Sequence, residues 1–208
     1  MRTQLQNYLK KQNLKSIKKI FVFVGNPDND SFSSALADAY VFGAKSAGHD
    51  VRLTKIADMQ FDPILHKGYK VIQAYEPDLK KFQEDVKWCE HFVSIYPIWW
   101  SGMPALMKGL VDRVWMPGFA FNMKKGLIPG WYRRLKGRSA RVIVHSDQHP
   151  FLLWFLFGGN INSWVRGVLR FSGFAPVRKT WFSGMNKPTP EKLKCLLAKV
   201  ERLGRKGK

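Results

Sequence analysis

Residues 91–115 read HFVSIYPIWWSGMPALMKGLVDRVW. The first seven, HFVSIYP, form an apolar run with the length and composition of a buried strand. Further on, Leu106, Leu110 and Val114 recur at the spacing of one helical face. Pro104 suits the first turn of that helix, where its missing N–H would have no partner anyway. Between strand and helix lies Ile-Trp-Trp-Ser-Gly-Met, awkward as a strand and impossible as a helix. Two tryptophans beside glycine and proline at a strand end make a surface suited to a flat ligand.

The same rhythm runs through the chain. KIFVFVG (19–25) reads as a buried strand, followed by the turn residues of GNPDNDSFSS. SFSSALADAYVFGAKSAG (31–48) places Phe32, Leu36, Ala39, Tyr40 and Gly43 on one helical face, and Gly48 is a stop signal. VRLTKI (51–56) is a second strand. An irregular stretch with FDPIL precedes a helix over 77–90, on which Phe82, Val86 and Cys89 align. ARVIVHS (140–146) and PVRKTWFSG (176–184) read as a fourth and fifth strand, with a helix over 162–173 between them. Thr189 caps a last helix that turns Leu193, Leu196, Leu197 and Val200 inward. Strands alternating with helices predict an α/β three-layer sandwich with a five-stranded parallel sheet. Right-handed crossovers leave few topologies, and the expected order is 2-1-3-4-5, in which the loops leaving strands one, three and four are neighbours. The domain organisation is a polar basic arm (1–18), one domain (19–204) and a basic tail (205–208).

The chain carries 35 Lys and Arg against 15 Asp and Glu, a net charge of +20. Such a field attracts anions as a class, among them phosphates, nucleic acids and anionic membrane surfaces. The densest basic patches are Lys10 to Lys19, Lys124 to Arg141 and Arg202 to Lys208. No nucleic-acid-reading motif accompanies them, so a solubilising surface outweighs a nucleic-acid groove. Two lone cysteines, Cys89 and Cys195, argue against a disulfide framework or cysteine-bound metal and suit a reducing compartment. The polar N-terminus has no secretory pattern, and FLLWFLF (151–157) is too short to span a bilayer. A cytoplasmic location is the expectation.

Open parallel sheets bind ligands outside the carboxyl ends of their strands, where the strand order reverses. Three loops meet there: 25–33, 96–103 and 145–150. The first offers Ser31 and Ser33 at a helix start, suited to a phosphate, with plain N-capping by Asp30 or Ser31 the competing reading. It contains neither a dinucleotide GxGxxG fingerprint nor a Walker loop.

The run YPIWWSGMPALMKGLVDRVWMPGFAF (96–121) resembles the signature of the flavodoxin-like NAD(P)H:quinone oxidoreductases. GNPDNDSFSSALADAY, GHDVRLTKIADMQFDPIL and VLRFSGFAPVR resemble further segments of that family, so the likeness covers roughly residues 19–200. It implies a flavodoxin-like fold and a flavin-dependent enzyme, with FMN or FAD bound and NAD(P)H as co-substrate. A hydride would pass from NAD(P)H through flavin N5 to a quinone or similar acceptor, in two-electron, ping-pong fashion. Ser31, Phe32 and Ser33 would then lie by the flavin phosphate, and Asn26 of the same loop is a further cofactor-binding candidate. Pro97, Ile98, Trp99, Trp100 and Ser101 would line the isoalloxazine, and Ser146 of the third loop is a further cofactor-binding candidate. His145 and His149 are candidate proton donors to the reduced quinone, with strand-end capping or solvent exposure as the plainer alternative.

The resemblance also implies a homodimer with its active site at the subunit interface, which would use the apolar segment 151–157. The chain departs from the family pattern at Asn26, where histidine is common, and at HSDQHP, where Thr-Gly-Gly-type residues are usual. A second reading, also drawn from the family, is an ancillary regulatory subunit of a membrane potassium efflux system. The net charge suits peripheral contact with an anionic membrane.

Overall fold

The computed structural model describes residues 17–71, 73–124, 130–157 and 161–208. Most of the expected basic arm therefore lies outside the described residues. In chain order the elements are β1 (Lys19–Val24), α1 (Phe32–Ser46), β2 (Asp50–Lys55), α2 (Pro77–Trp88) and β3 (His91–Pro97). Then come α3 (Ala105–Val114), β4 (Phe121–Met123), β5 (Trp131–Arg133), β6 (Ser139–His145) and α4 (Pro150–Phe157). A helix of π type, α5 (Ser163–Arg170), β7 (Val177–Phe182) and α6 (Pro190–Arg205) complete the chain.

Five parallel strands form one sheet in the order β2-β1-β3-β6-β7. The architecture is the expected one. The numbering differs because an antiparallel hairpin, β4–β5, intervenes in the chain between β3 and β6. Its strands are three residues each, FNM and WYR, too short to show a period-two pattern.

Each central strand divides its side chains between two faces. Ile20, Val22 and Val24 of β1 pack with Leu36, Ala37, Tyr40 and Val200 under α1 and α6. Phe21 and Phe23 of the same strand point the other way, into a cluster with Phe82, Phe92, Met107, Leu110 and Trp164. Strand β3 has helices on both faces and is buried along its whole length, so its apolar run shows no alternation. On the first face, α1 and α6 approach closely because both present glycine at the crossing. A Cβ on Gly43 would stand 2.1 Å from the Glu201 carbonyl oxygen, and one on Gly204 2.1 Å from that of Tyr40.

The caps follow the sequence. Ser31 caps α1 by accepting from the Ser34 amide at 3.3 Å, and Thr189 caps α6 by accepting from Lys192 at 3.2 Å. Pro104 sits one residue earlier than expected, as the cap of α3 rather than in its first turn, with ψ of 146°. Gly109 is required where α3 meets the FDP segment, since a Cβ there would lie 2.5 Å from the Pro63 ring. One turn later, buried Arg113 reaches into the same loop. It donates to Glu76 at 2.8 Å, to the Ala74 carbonyl at 2.8 Å and to the Asp62 carbonyl.

His91 opens β3 fully buried, with Nδ1 2.8 Å from the Ser139 hydroxyl and no partner for Nε2. Burial, reinforced by Lys18 and Arg141, pushes its pKa from 6.5 down to about 3. The folded protein therefore holds His91 neutral where the unfolded chain would take up a proton. Stability is undiminished above pH 6.5 and falls as the pH drops from there toward 3. Replacing His91 with Gln should flatten that decline by about 1.4 kcal/mol per pH unit. Thermal melts of both proteins between pH 7 and 4 test this, and parallel curves would refute it.

Candidate active site

Among the described residues, the cleft at the carboxyl edge of the sheet is built from four chain segments. Phe32 begins α1; Pro97, Ile98 and Trp99 leave β3; His145, Ser146 and Asp147 leave β6; Met185, Pro188 and Leu193 follow β7. They enclose about 360 Å³, within the ordinary range for a small-molecule site. Aromatic and aliphatic side chains form most of the wall. The sequence pointed to the first three segments. Met185, Pro188 and Leu193 carry no local signal and join only because β7 ends beside β6.

The Trp-Trp turn has an unusual backbone. Trp99 and Gly102 exchange both of their backbone hydrogen bonds, at 3.0 and 2.9 Å, which closes a two-residue hairpin over Trp100 and Ser101. Both central residues have positive φ, 45° and 63°. Such turns ordinarily use Asn-Gly, because side chains with a Cβ are strained in that region. Trp100 gains no packing in return, being fully exposed, and Trp99 is nearly half exposed. The Ser101 hydroxyl is buried with no hydrogen-bond partner among the described residues. Among the described residues the amides of Trp100 and Ser101 likewise donate to nothing. Strain, unused donors and exposed rings in one turn are the marks of a ligand clamp.

The first loop is held by its own side chains. Asn26 accepts from the Asp28 amide at 3.0 Å, and Asp28 accepts from the Asp30 amide at 2.9 Å. Asn29 donates to Asp58 at 2.6 Å. These bonds commit the Asp28 carboxylate to its own loop. Ser31 is occupied as the cap, which agrees with the N-capping reading, while the Phe32 and Ser33 amides at the helix start have no acceptor among the described residues.

His145 binds the first and third loops together. Its Nε2 lies 2.8 Å from the Ser33 hydroxyl, and its ring meets Phe32 edge-on at 5.2 Å. Burial pushes its pKa from 6.5 down to about 4, opposed in part by the Asp147 carboxylate. At neutral pH it is an uncharged imidazole that orients Ser33. His149 is placed elsewhere: it is exposed at the start of α4 and accepts from the Phe151 amide at 3.3 Å. It does not line the cleft, and its exposure fits the solvent-facing alternative rather than strand-end capping. Ser146 lines the cleft, but its hydroxyl donates to the Gln148 carbonyl and accepts from Trp181, both at about 2.7–2.8 Å. Asp147 points into solvent, so its charge stays hydrated beside the cleft.

Residues 18–203 match the model of a family described as having a flavodoxin-like fold. The chain belongs to that family. It is 24% identical to mouse ribosyldihydronicotinamide dehydrogenase [quinone], over 87% of this chain and 88% of that protein. Smu.1420 from Streptococcus mutans UA159 superposes with a TM-score of 0.76 at 29% identity, covering 89% of this chain and 98% of the other. An FMN-dependent NADH-azoreductase from Bacillus anthracis str. Ames Ancestor, solved with FMN, shares the fold at 16% identity. Its TM-score is 0.67, with 90% of this chain and 98% of that one covered.

The strain in this flavodoxin-like protein is measurable. Replacing Ser101 with Gly relieves a positive φ and removes an unpartnered buried hydroxyl. It should stabilise the protein by about 1 kcal/mol, a rise of roughly 2–4 °C in melting temperature. A lower melting temperature would show that the turn is relaxed as it stands.

Proposed function

We propose that the protein is a flavin-dependent oxidoreductase that oxidises NAD(P)H and reduces a quinone or similar planar acceptor. The observation that carries this reading is the Trp99–Gly102 turn, whose free amides and unpartnered Ser101 hydroxyl edge an apolar cleft. Planar heterocycles with polar edges need that combination: a flat wall against the ring and main-chain donors at its rim. The residues present fit a flavin on both counts. The mouse relative, named a quinone-linked dehydrogenase, and the FMN-bound azoreductase of the same fold support the reading.

Pro97, Ile98, Trp99, Trp100 and Ser101 would hold the ring of FMN or FAD, and the Phe32 and Ser33 amides at the start of α1 its phosphate. The start of a helix favours negative charge through its unpaired N–H groups and its dipole. A bound flavin would supply two-electron hydride acceptance from the nicotinamide and hydride donation to the acceptor. The chain's own task is then to hold the ring, exclude water and set hydrogen bonds. His145, neutral and engaged with Ser33, keeps the phosphate loop against the third loop. His149, exposed at the start of α4, is left out of the proposed proton path.

A homodimer belongs to the same proposal. Phe151, Trp154 and Phe155 of α4 are 65%, 61% and 70% exposed, an apolar patch that a second copy would cover. A purely monomeric mass in sedimentation at micromolar concentration would remove that part. Among the described residues no helix is long and apolar enough to cross a membrane. Both cysteines are free, as in proteins of the reducing cytoplasm, where we place it.

Reconstitution tests the activity. After incubation with FMN or FAD and desalting, the protein should keep a flavin spectrum and oxidise NADH or NADPH when a benzoquinone is supplied. Trp99→Ala and Trp100→Ala should each weaken flavin retention about tenfold, the loss of roughly 1–1.5 kcal/mol of ring contact. A protein that stays colourless and turns over neither nucleotide would overturn the proposal. Undiminished retention in both variants would move the ring away from this turn.

A further inference from the structure

A second and larger cavity, about 510 Å³, opens on the opposite side of the sheet edge from the flavin cleft. It is lined by Trp131 of β5, Arg166 and Arg170 of α5, Phe171, and the Ala175–Val177 turn that enters β7. Arg133 completes the wall. The first cleft lies past the carboxyl end of β7 and this groove at its amino end. A six-residue strand separates them by roughly 17 Å. The two cavities share no lining residue.

Three guanidinium groups face this groove without a counter-ion. None of Arg133, Arg166 and Arg170 enters an ion pair among the described residues. Lys179 adds a fourth positive charge nearby: its burial, with Arg166 and Arg170 beside it, holds its ammonium pKa below the ordinary value. Its only described hydrogen bond is to Asn162. Like charges gathered in a concavity repel one another, and arginine's rigid fork suits phosphate oxygens better than solvent. A merely solubilising surface would spread such charges over convex ground.

The aromatic part of the wall is fixed in advance. Trp131 stacks on Phe171 with centroids 4.5 Å apart and planes 16° from parallel. Its Nε1 donates to the Phe171 carbonyl at 2.9 Å, and Phe121 buttresses Phe171 edge-on at 5.1 Å. The Arg133 guanidinium lies 5.7 Å from the Trp131 centroid, near the outer limit of cation–π attraction. It can move onto an incoming anion with little loss. A rigid indole beside three unpaired guanidinium groups matches a ligand with a planar base at one end and phosphate at the other.

We propose that this groove binds a phosphate-bearing nucleotide, its base against Trp131 and its phosphate on Arg133, Arg166 and Arg170. The site is independent of the flavin reading and stands or falls without it. Its size, shape and chemistry favour the nucleotide over phosphate alone, because phosphate would leave the indole platform unused.

Titration calorimetry of the full chain with ADP, pyrophosphate and adenosine, each in the presence of excess FMN, tests it. ADP should bind saturably and more tightly than pyrophosphate, with adenosine weakest. The double variant R166S/R170S changes only exposed side chains, so its melting temperature should match the wild type. Its ADP affinity should fall at least about tenfold for each arginine. Trp131→Leu should narrow the gap between ADP and pyrophosphate. Absence of saturable ADP binding, or equal affinity in R166S/R170S, would overturn the proposal. Displacement of ADP by FMN would assign the binding to the other cleft, and pyrophosphate binding as well as ADP would leave no role for the indole.

Discussion

The Arg113 guanidinium is the interaction on which the site's geometry rests. It is almost wholly buried, and both of its terminal nitrogens find partners: the Glu76 carboxylate and two carbonyls of the 62–76 loop. A buried charge is tolerable only when paired and hydrogen-bonded in this way. That requirement ties α3 to a loop with little regular structure of its own. Gly109 makes the contact close enough, since Pro63 occupies the space a side chain would need. With α3 anchored at its far end, the segment joining it to β3 has a fixed span. The Trp-Trp turn closes that span, and its strain is sustained by the rigid elements on either side.

Stability and function pull apart at this turn. Fully exposed Trp100 and the unpartnered Ser101 hydroxyl both lower stability relative to Asn-Gly. Elsewhere the chain follows the usual rules more closely: Ser31 and Thr189 cap their helices, and β3, covered on both faces, is buried along its whole length. A departure from those rules at the mouth of the cleft is what the proposed ligand site would require, since such sites trade folding preference for binding. The same logic separates the two histidines. His91 is neutral because it is buried at the amino end of β3, at the opposite sheet edge from the first cleft; His145 is neutral at that cleft, where it links two loops.

Much of this was legible in the residues. Parallel strands buried on both faces give unbroken apolar runs, and the helices between them carry polar caps at Ser31 and Thr189. The loops after β1, β3 and β6 were readable as a site because topology alone brings those strand ends together. Other parts depend on contacts that one segment does not encode. The β4–β5 hairpin is too short for periodicity, and FLLWFLF is apolar on every side, so no pattern separates strand from helix there. His149 and His145 are indistinguishable as letters four residues apart. Only the fold turns one onto Ser33 and leaves the other at a helix start. The arginine groove is not legible in one segment, because Arg133, within the 124–141 basic patch, meets Arg166 and Arg170 of another element only in space.

The chain's strong positive charge needs to be weighed against these local arrangements. A net +20 raises the local concentration of every anion and quickens its arrival, but it cannot choose among them, and salt screens it. Selection requires donors fixed at short range. At the first loop, the carboxylates of Asp28 and Asp58 are committed to hydrogen bonds with Asp30 and Asn29, which leaves the helix-start amides to face a phosphate. In the second groove, Trp131 is locked to Phe171 by a stack and a hydrogen bond before any ligand arrives. Both places have their geometry set in advance, so a ligand's ordering cost falls on the ligand alone. The diffuse charge brings anions to the surface; under the two proposals, these preformed arrangements would decide which of them stay.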